Sequence, residues 1–342
     1  MDVKTKFVYV LVCNKSNFYF EQFLISAYSL LKHTPAAYIC LVVDELSAIY
    51  IEERKADIVN LVSDIIVVDT PMDYNNMRKS RYIKTNLRKI VKGDFLFIDT
   101  DTVVCDDLSS VDDIPYDIAS VPDQHVMISS FHPQKSLKSW SKIAGFKLIS
   151  NYYYFNSGVI YCKDNQRTSE FYSEWNKHWK LNDSHGLSYD QPSFAKANEV
   201  CGYLIGKLDG VWNCQIVENG LRYLQESKII HYFSSGNSSN KQSAYLFYDE
   251  EIYKKIRCKG LMCDDIQMLL SNPRSAFRDD CKVITGDDSK YLLSIANIIY
   301  KTHPRIFKVF EKFSSNYLRF NRCLKLIRNG LFVNKIKTKY FL

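Results

Sequence analysis

Two carboxylates one residue apart, Asp99 and Asp101, close a short apolar run from Phe95 to Ile98. At the carboxyl edge of a parallel sheet, that position is where open α/β folds bind their ligands. Residues i and i+2 of a regular strand face one side, so both oxygens can converge on a single hard cation, or one directly and one through water. A cation held there would neutralise a diphosphate and make it a better leaving group. The plain alternative is a pair of acids opening a polar turn after a strand, because an Asp-x-Asp is a weak signal alone.

Other phosphate-binding designs are absent. No two of the twelve glycines are separated by one residue, which excludes the dinucleotide G-x-G-x-x-G and the kinase glycine loop, and no G-x-x-x-x-G-K-[ST] occurs. There is no G-x-S-x-G elbow and no H-E-x-x-H. Cys258 and Cys263 are the closest cysteine pair, and no second pair completes a zinc site with them. The ten cysteines are irregularly spaced in a large chain with no secretory signal, so reduced thiols are expected.

The elements that must position Asp99 and Asp101 read as βαβ units with a mostly parallel sheet. Strands are expected over Phe7–Val12, Tyr38–Val43, Ile65–Asp69 and Phe95–Ile98. Apolar on both faces, the last of these belongs in the middle of the sheet. Ser16 is placed to cap a helix whose stripe is Phe20, Phe23, Leu24, Ala27, Leu30 and Leu31. Further helices are expected over Ser47–Leu61 and over Arg78–Val91, the latter with basic residues on its outer face. Asp117–Val121 and Tyr152–Tyr161 read as strands separated by a long polar stretch containing Trp140, and Thr168–Trp179 as a helix. No 20–50-residue period or low-complexity tract appears. From about Tyr245 the pattern turns helical, so the expected division is an α/β domain over 1–244 and a helical appendage over 245–342.

The 342 residues, 46% of them hydrophobic and 24% charged, suffice for a large core, and the 24 Tyr and 20 Phe suit sugar-stacking surfaces as well as cores. The formal charge of +7 is uneven. Residues 301–342 hold eleven Lys and Arg against Glu311 alone, a net +10 that leaves −3 for the first 300. Arg305, Lys308, Lys312, Arg319 and Arg322 interleave with Phe307, Phe310, Phe313, Leu318 and Phe320, a pattern for lying on anionic membrane, with a solvated or partner-docking face as the alternative. Nothing in the chain reaches 18 uninterrupted apolar residues, so a cytoplasmic protein working at the inner face of the membrane is expected. A nucleic-acid partner is not expected, since the body is acidic and carries no recognised binding module.

From Phe7 to about Tyr232 the sequence resembles glycosyltransferase family 8. The resemblance rests on Val12-Cys13-Asn14 through Ser29-Leu30-Leu31, Phe97-Ile98-Asp99-Thr100-Asp101, Tyr154-Phe155-Asn156-Ser157-Gly158-Val159, Asp190-Gln191 and His231-Tyr232, in that order. It implies a GT-A-type nucleotide-sugar-binding fold and retaining transfer of galactose or glucose from a UDP-sugar to a saccharide or lipid-linked saccharide, as in bacterial surface-polysaccharide or lipopolysaccharide synthesis. It also implies uracil and ribose at Val12, Cys13 and Asn14, donor contacts from Arg81, Lys84, Asp99, Thr100 and Asn156, and Asp190 and Gln191 beside the reacting carbon. Asp99, Asp101 and His231 would bind Mn²⁺, with Mg²⁺ the alternative; an imidazole in the set favours Mn²⁺. Two departures stand out. Asn14 replaces an Asp that is common in the family, and the run after His231 lacks the family's diphosphate-gripping lysine, leaving Lys241 late for that role. Lys84, Arg81 or backbone groups would then serve.

The residues also leave rivals. Asp99-Thr100-Asp101-Thr102-Val103 spells the D-x-D-x-[T/V] of haloacid-dehalogenase-like phosphatases, with Asp99 as nucleophile and Gly286-Asp287-Asp288 as a distant acidic motif. Those enzymes open with this strand, whereas three strand-and-helix units precede it here. A non-catalytic saccharide-binding protein that kept the fold is the other alternative.

Overall fold

The computed structural model describes residues 3–233, 244–278 and 294–328. Strands β1 (Lys6–Leu11), β2 (Ile39–Asp44), β3 (Asp64–Val68) and β4 (Phe95–Ile98) alternate with helices α1 (Tyr19–His33), α2 (Glu45–Glu53), α3 (Lys55–Ile58), α4 (Asn76–Thr85) and α5 (Leu87–Ile90). Then come β5 (Thr102–Val104), β6 (Ile118–Met127), α6 (Gln134–Ala144), β7 (Tyr153–Cys162), α7 (Gln166–Ser184) and α8 (Asp190–Val200). Short strands β8 (Ile205–Lys207), β9 (Cys214–Gln215) and β10 (Ile229–His231) lead to α9 (Glu250–Lys259) and α10 (Asp264–Ser271). Two last helices, α11 (Ile295–Thr302) and α12 (Pro304–Arg328), belong to a separate compact unit.

The main sheet has the order β3-β2-β1-β4-β7-β6-β8. Every pairing is parallel except those of β7, which runs antiparallel to both β4 and β6. All four residues of β4 are buried, and β4 is the fourth of the seven strands, which matches its two apolar faces. A second, three-stranded sheet, β5-β10-β9, branches off just after the Asp99–Asp101 turn.

Local differences from expectation have identifiable causes. Ser16 does not cap α1, which starts after Phe18; its hydroxyl and backbone N–H both donate to Asn14 Oδ1 at 2.6 and 2.9 Å, a local turn competing with the helix. The helix expected over Arg78–Val91 breaks at Asn86, whose Nδ2 donates to the Tyr82 carbonyl at 2.8 Å. Its basic residues do not all face outward. Lys79, Lys84 and Arg88 are buried, because each stem packs on apolar surface while its head meets a carboxylate: Asp44 at 2.9 Å, Asp190 at 2.9 Å and Asp164 at 3.2 Å. The polar stretch around Trp140 is helix α6, seated on its own small core with Leu137, Tyr154 and Phe146.

The first compact unit extends to Lys282 rather than ending at 244. Helix α9 docks on α1 through Glu21, fully buried, which takes Arg54 at 2.6 Å and Arg257 at 2.8 Å. With both arginines paired, α9 belongs to the α/β body, and the second compact unit comprises residues 283–342, in which 295–302 and 304–328 are the described helices. In that unit Tyr300 meets Phe307 edge-on at 5.1 Å. Among the described residues no helix is long and apolar enough to cross a membrane, and the eight described cysteines are free thiols.

Candidate functional site

Strand β4 ends at Ile98 and β5 begins at Thr102, so Asp99-Thr100-Asp101 form the turn between them rather than a regular strand. The turn is pinned by its backbone. Asp99 N–H donates to the Gly158 carbonyl at 2.8 Å, the Thr102 hydroxyl to the Asp99 carbonyl at 2.8 Å, and Tyr232 N–H to the Asp101 carbonyl at 3.1 Å. Antiparallel pairing of β5 with β10 sets His231 opposite Thr102, which delivers the imidazole to Asp101 from 130 residues away.

Atoms of Asp99, Asp101 and His231 lie within 4.8 Å of one another, and among the described residues this is the one group of three or more His, Cys, Asp or Glu able to hold a metal. His231 Nε2 sits 3.2 Å from Asp101 Oδ1, while Nδ1 lies 3.1 Å from Asn213 Oδ1. That second contact fixes the ring with Nε2 turned to the carboxylates, as ligating histidines require. Gly158 floors the group. A Cβ there would lie 2.3 Å from His231 Cε1 and 2.9 Å from Asp99 Oδ2, so the invading methyl would occupy the space between ligands. Two carboxylates, one oriented imidazole and a floor without a side chain fit a divalent cation.

Beside it lies a buried charge cluster. Lys84 Nζ donates to Asp190 Oδ2 at 2.9 Å and reaches Asp99 Oδ1 at 3.4 Å; Arg81 Nε lies 3.0 Å from Asp190 Oδ1. Ser157 adds a hydrogen bond to Asp190 at 2.9 Å. Burial alone would raise the Asp190 carboxyl, but the Lys84 and Arg81 cations outweigh it and hold the group well below the usual carboxylate range. For Asp99 the balance reverses: burial wins over Lys84 and raises it.

The two groups open into one cleft of about 990 Å³, lined among others by Val12, Arg81, Lys84, Asp99, Thr100, Asp101, Asn156, Asp190, Gln191 and His231. The remaining two expected residues do not line it. Cys13 is buried, its N–H donating to the Ser47 hydroxyl at 2.8 Å and its thiol pushed up to about 12 by burial. Asn14 is exposed in its own turn. Asn156 is 3% exposed and its amide is engaged at both ends: Nδ2 donates to Asp123 Oδ1 at 2.9 Å, while Oδ1 accepts from Asn213 Nδ2 at 2.9 Å and from Gly158 N–H at 2.8 Å. A continuous line of polar contacts therefore runs from Asp101 through His231, Asn213 and Asn156 to Asp123. Lys241 and Gly286-Asp287-Asp288 lie outside the described residues.

Sequence reasoning missed Asp123, Asn213 and the aromatic wall of Trp140, Tyr154 and Tyr189, all at or behind the cleft. Asp123 sits where β6 slips register around Pro122, and Gln124 and His125 follow with φ of 56° and 57°. Proline inside a strand marks such an irregularity, so Pro122 was the available signal.

Solved structures with similar folds include mouse xyloside xylosyltransferase 1 in its apo form, 12% identical, with 69% of this chain and 99% of that one covered at a TM-score of 0.47. Glycosyltransferase GlyE of Streptococcus pneumoniae TIGR4 is 14% identical, with 81% of this chain and 66% of that one covered, again at 0.47. No curated protein sequence matches the chain. The seven-stranded, mostly parallel sheet with flanking helices is the GT-A-type arrangement. The sequence pattern of glycosyl transferase family 8 matches residues 10–238, two-thirds of the chain, and the protein belongs to that family of glycosyltransferases.

Proposed function

We propose that the protein transfers a hexose, galactose or glucose, from a UDP-sugar to a saccharide or lipid-linked saccharide acceptor with retention at the anomeric carbon, in bacterial surface-polysaccharide or lipopolysaccharide assembly. The observation that carries this is the convergence of Asp99, Asp101 and His231 with the Lys84–Asp190–Arg81 cluster in one cleft large enough for a nucleotide-sugar. Mn²⁺ is the cation this donor set suits, and bound there it would supply Lewis-acid neutralisation of the diphosphate. Val12 marks the nucleotide end of the cleft. Lys84, 3.4 Å from Asp99, is placed to add positive charge to the phosphates in place of the missing late lysine. Asp190 and Gln191 face the donor sugar; the carboxylate, kept ionised by its two cations, favours positive charge developing at the anomeric carbon. The acceptor hydroxyl attacks from the face the diphosphate leaves, its proton departing with that group. Family membership removes the reading of Asp99 as a phosphatase nucleophile.

Incubation with a panel of UDP-sugars is expected to release UDP from one hexose donor, with activity lost in EDTA and restored by Mn²⁺ more than by Mg²⁺. Silence toward every donor by protein that still binds Mn²⁺ would instead favour a saccharide-binding protein.

The last helix suggests where the enzyme works. Ile306, Val309, Phe310, Phe313 and Tyr317 lie on one side of α12 and are all exposed, while Arg305, Lys308 and Lys312 lie on another. An apolar stripe flanked by cations suits the anionic cytoplasmic face of a membrane. Full-length protein should float with phosphatidylglycerol liposomes and a version ending before residue 301 should not; equal recovery of the two would refute membrane docking.

A further inference from the structure

The wall of the cleft formed by α6 and the entry to α8 has no part in holding phosphate or metal. Two aromatic rings there are partly open: Trp140 on α6, half-buried, and Tyr189, 57% exposed at the N-terminal end of α8. Their ring centroids are 6.4 Å apart with planes inclined by 60°, and Trp140 is backed by Tyr154 at 6.3 Å, nearly parallel at 24°. Tyr154 is itself clamped by Phe131 and Phe146. The surface is therefore rigid behind and open in front, the reverse of a core cluster.

Three observations give that surface an occupant. First, Trp175 and Trp179 are buried with their indole N–H groups donating to the Asp190 and Ser188 carbonyls at 2.9 and 3.1 Å, whereas Trp140 is partly open and lines the cleft. Second, the surface lies on the β7–β6 side of β4, opposite the β1 side that carries Val12, so a nucleotide reaching from Val12 to Asp99 leaves it uncovered. Third, it adjoins polar groups suited to hydroxyls. The amide of Gln191 lies against Tyr154, Asp123 and Ser157, and Tyr189 is the immediate neighbour of Asp190. Apolar faces beside carboxylate and amide groups match the amphipathic surface of a pyranose, whose axial C–H groups pack on aromatic rings while its hydroxyls point sideways.

We infer that Trp140 and Tyr189 form the acceptor subsite, binding the terminal pyranose of a saccharide by stacking and presenting its hydroxyl to the carbon held beside Asp190 and Gln191. The inference rests on the proposed transferase reading for the role of the bound sugar, but not for the binding itself. It also accounts for the segment 128–146, whose own small core supports α6 and so fixes the Trp140 ring.

The test is saturation-transfer NMR of the full chain, loaded with UDP and Mn²⁺, against the methyl β-glycosides of galactose, glucose and N-acetylglucosamine, and against lactose. At least one should bind, with saturation concentrated on the C–H protons of one ring face. Tyr189→Ala and Trp140→Ala should each weaken that binding about tenfold, a change of about 1.4 kcal/mol, while Tyr189→Phe retains it. Tyr189 is exposed enough for its truncation to leave the core intact, which thermal unfolding checks. Binding by none of the four, undiminished binding by both alanine variants, or equal loss in Tyr189→Phe and Tyr189→Ala would each overturn the subsite. Saccharide binding without turnover of any UDP-sugar would instead strike the transferase reading and leave the subsite standing.

Discussion

Asp101→Ala is expected to reduce metal-dependent UDP release by about 10³-fold and to weaken Mn²⁺ binding at least as sharply as turnover. Lewis-acid stabilisation of a departing diphosphate is worth several kcal/mol, and about 4 kcal/mol corresponds to roughly three powers of ten in rate. Asp101 is one of the three residues able to hold the cation and the one in contact with His231, at 3.2 Å, so its removal takes an anionic donor from the group and the carboxylate from beside Nε2. The fold should survive, because the contact that holds the turn to β10 uses the Asp101 backbone carbonyl, which alanine keeps. Two measurements separate the causes: calorimetric titration with Mn²⁺ reads the site directly, and thermal unfolding reads the scaffold. Asp101→Asn keeps the size and loses the charge, so it should resemble alanine in Mn²⁺ affinity. Full activity of either variant would remove Asp101 from the metal site.

The parts of this site that were legible in the sequence are those that local pattern encodes. An uninterrupted apolar run ending in two acids identifies β4, its central place and the position of Asp99, because burial on both faces leaves no freedom in choosing residues. His231 was legible only through resemblance, since the β5–β10 pairing that brings it to Asp101 is a long-range event without a local signature. For the helix carrying Lys84 the sequence predicts an outward basic face, the default for charge on a helix. Its inversion depends on Asp44, Asp164 and Asp190, acids from three separate parts of the chain. Asp123 was invisible for a different reason: an irregular strand, with two non-glycine residues at positive φ, aims it by an exception to strand alternation. Trp140 went unassigned because α6 buries only Leu137 and Ala144, too few apolar positions to stand out as a helical stripe.

Asp190→Asn should lower both stability and transfer, and the pH dependence should say why. Asp190 is 5% exposed and neutralises Lys84, which is as buried, and Arg81, which is partly buried. Asparagine preserves the shape and the chance to accept from Ser157 but leaves two cations facing each other without an anion between them. Removing one partner of a buried ion pair is destabilising by about 3 kcal/mol. The carboxyl is depressed in the folded state, so its contribution is fully present above the unfolded value of about 3.9 and is lost as pH falls through the lower folded value. The wild-type advantage over the variant should therefore be constant from neutral pH down to about 4 and shrink only in stronger acid. Urea unfolding of both proteins across that range measures it. A constant gap continuing to the lowest accessible pH would mean that charge is not what Asp190 contributes. Transfer should fall about 10²-fold, within the range seen when a preorganised electrostatic group at a reacting centre is removed. That loss should persist at donor concentrations high enough to saturate the variant, because the carboxylate acts on charge that develops as the diphosphate departs rather than on the ground-state donor. An effect confined to donor KM would instead place Asp190 as a support for Lys84 and Arg81.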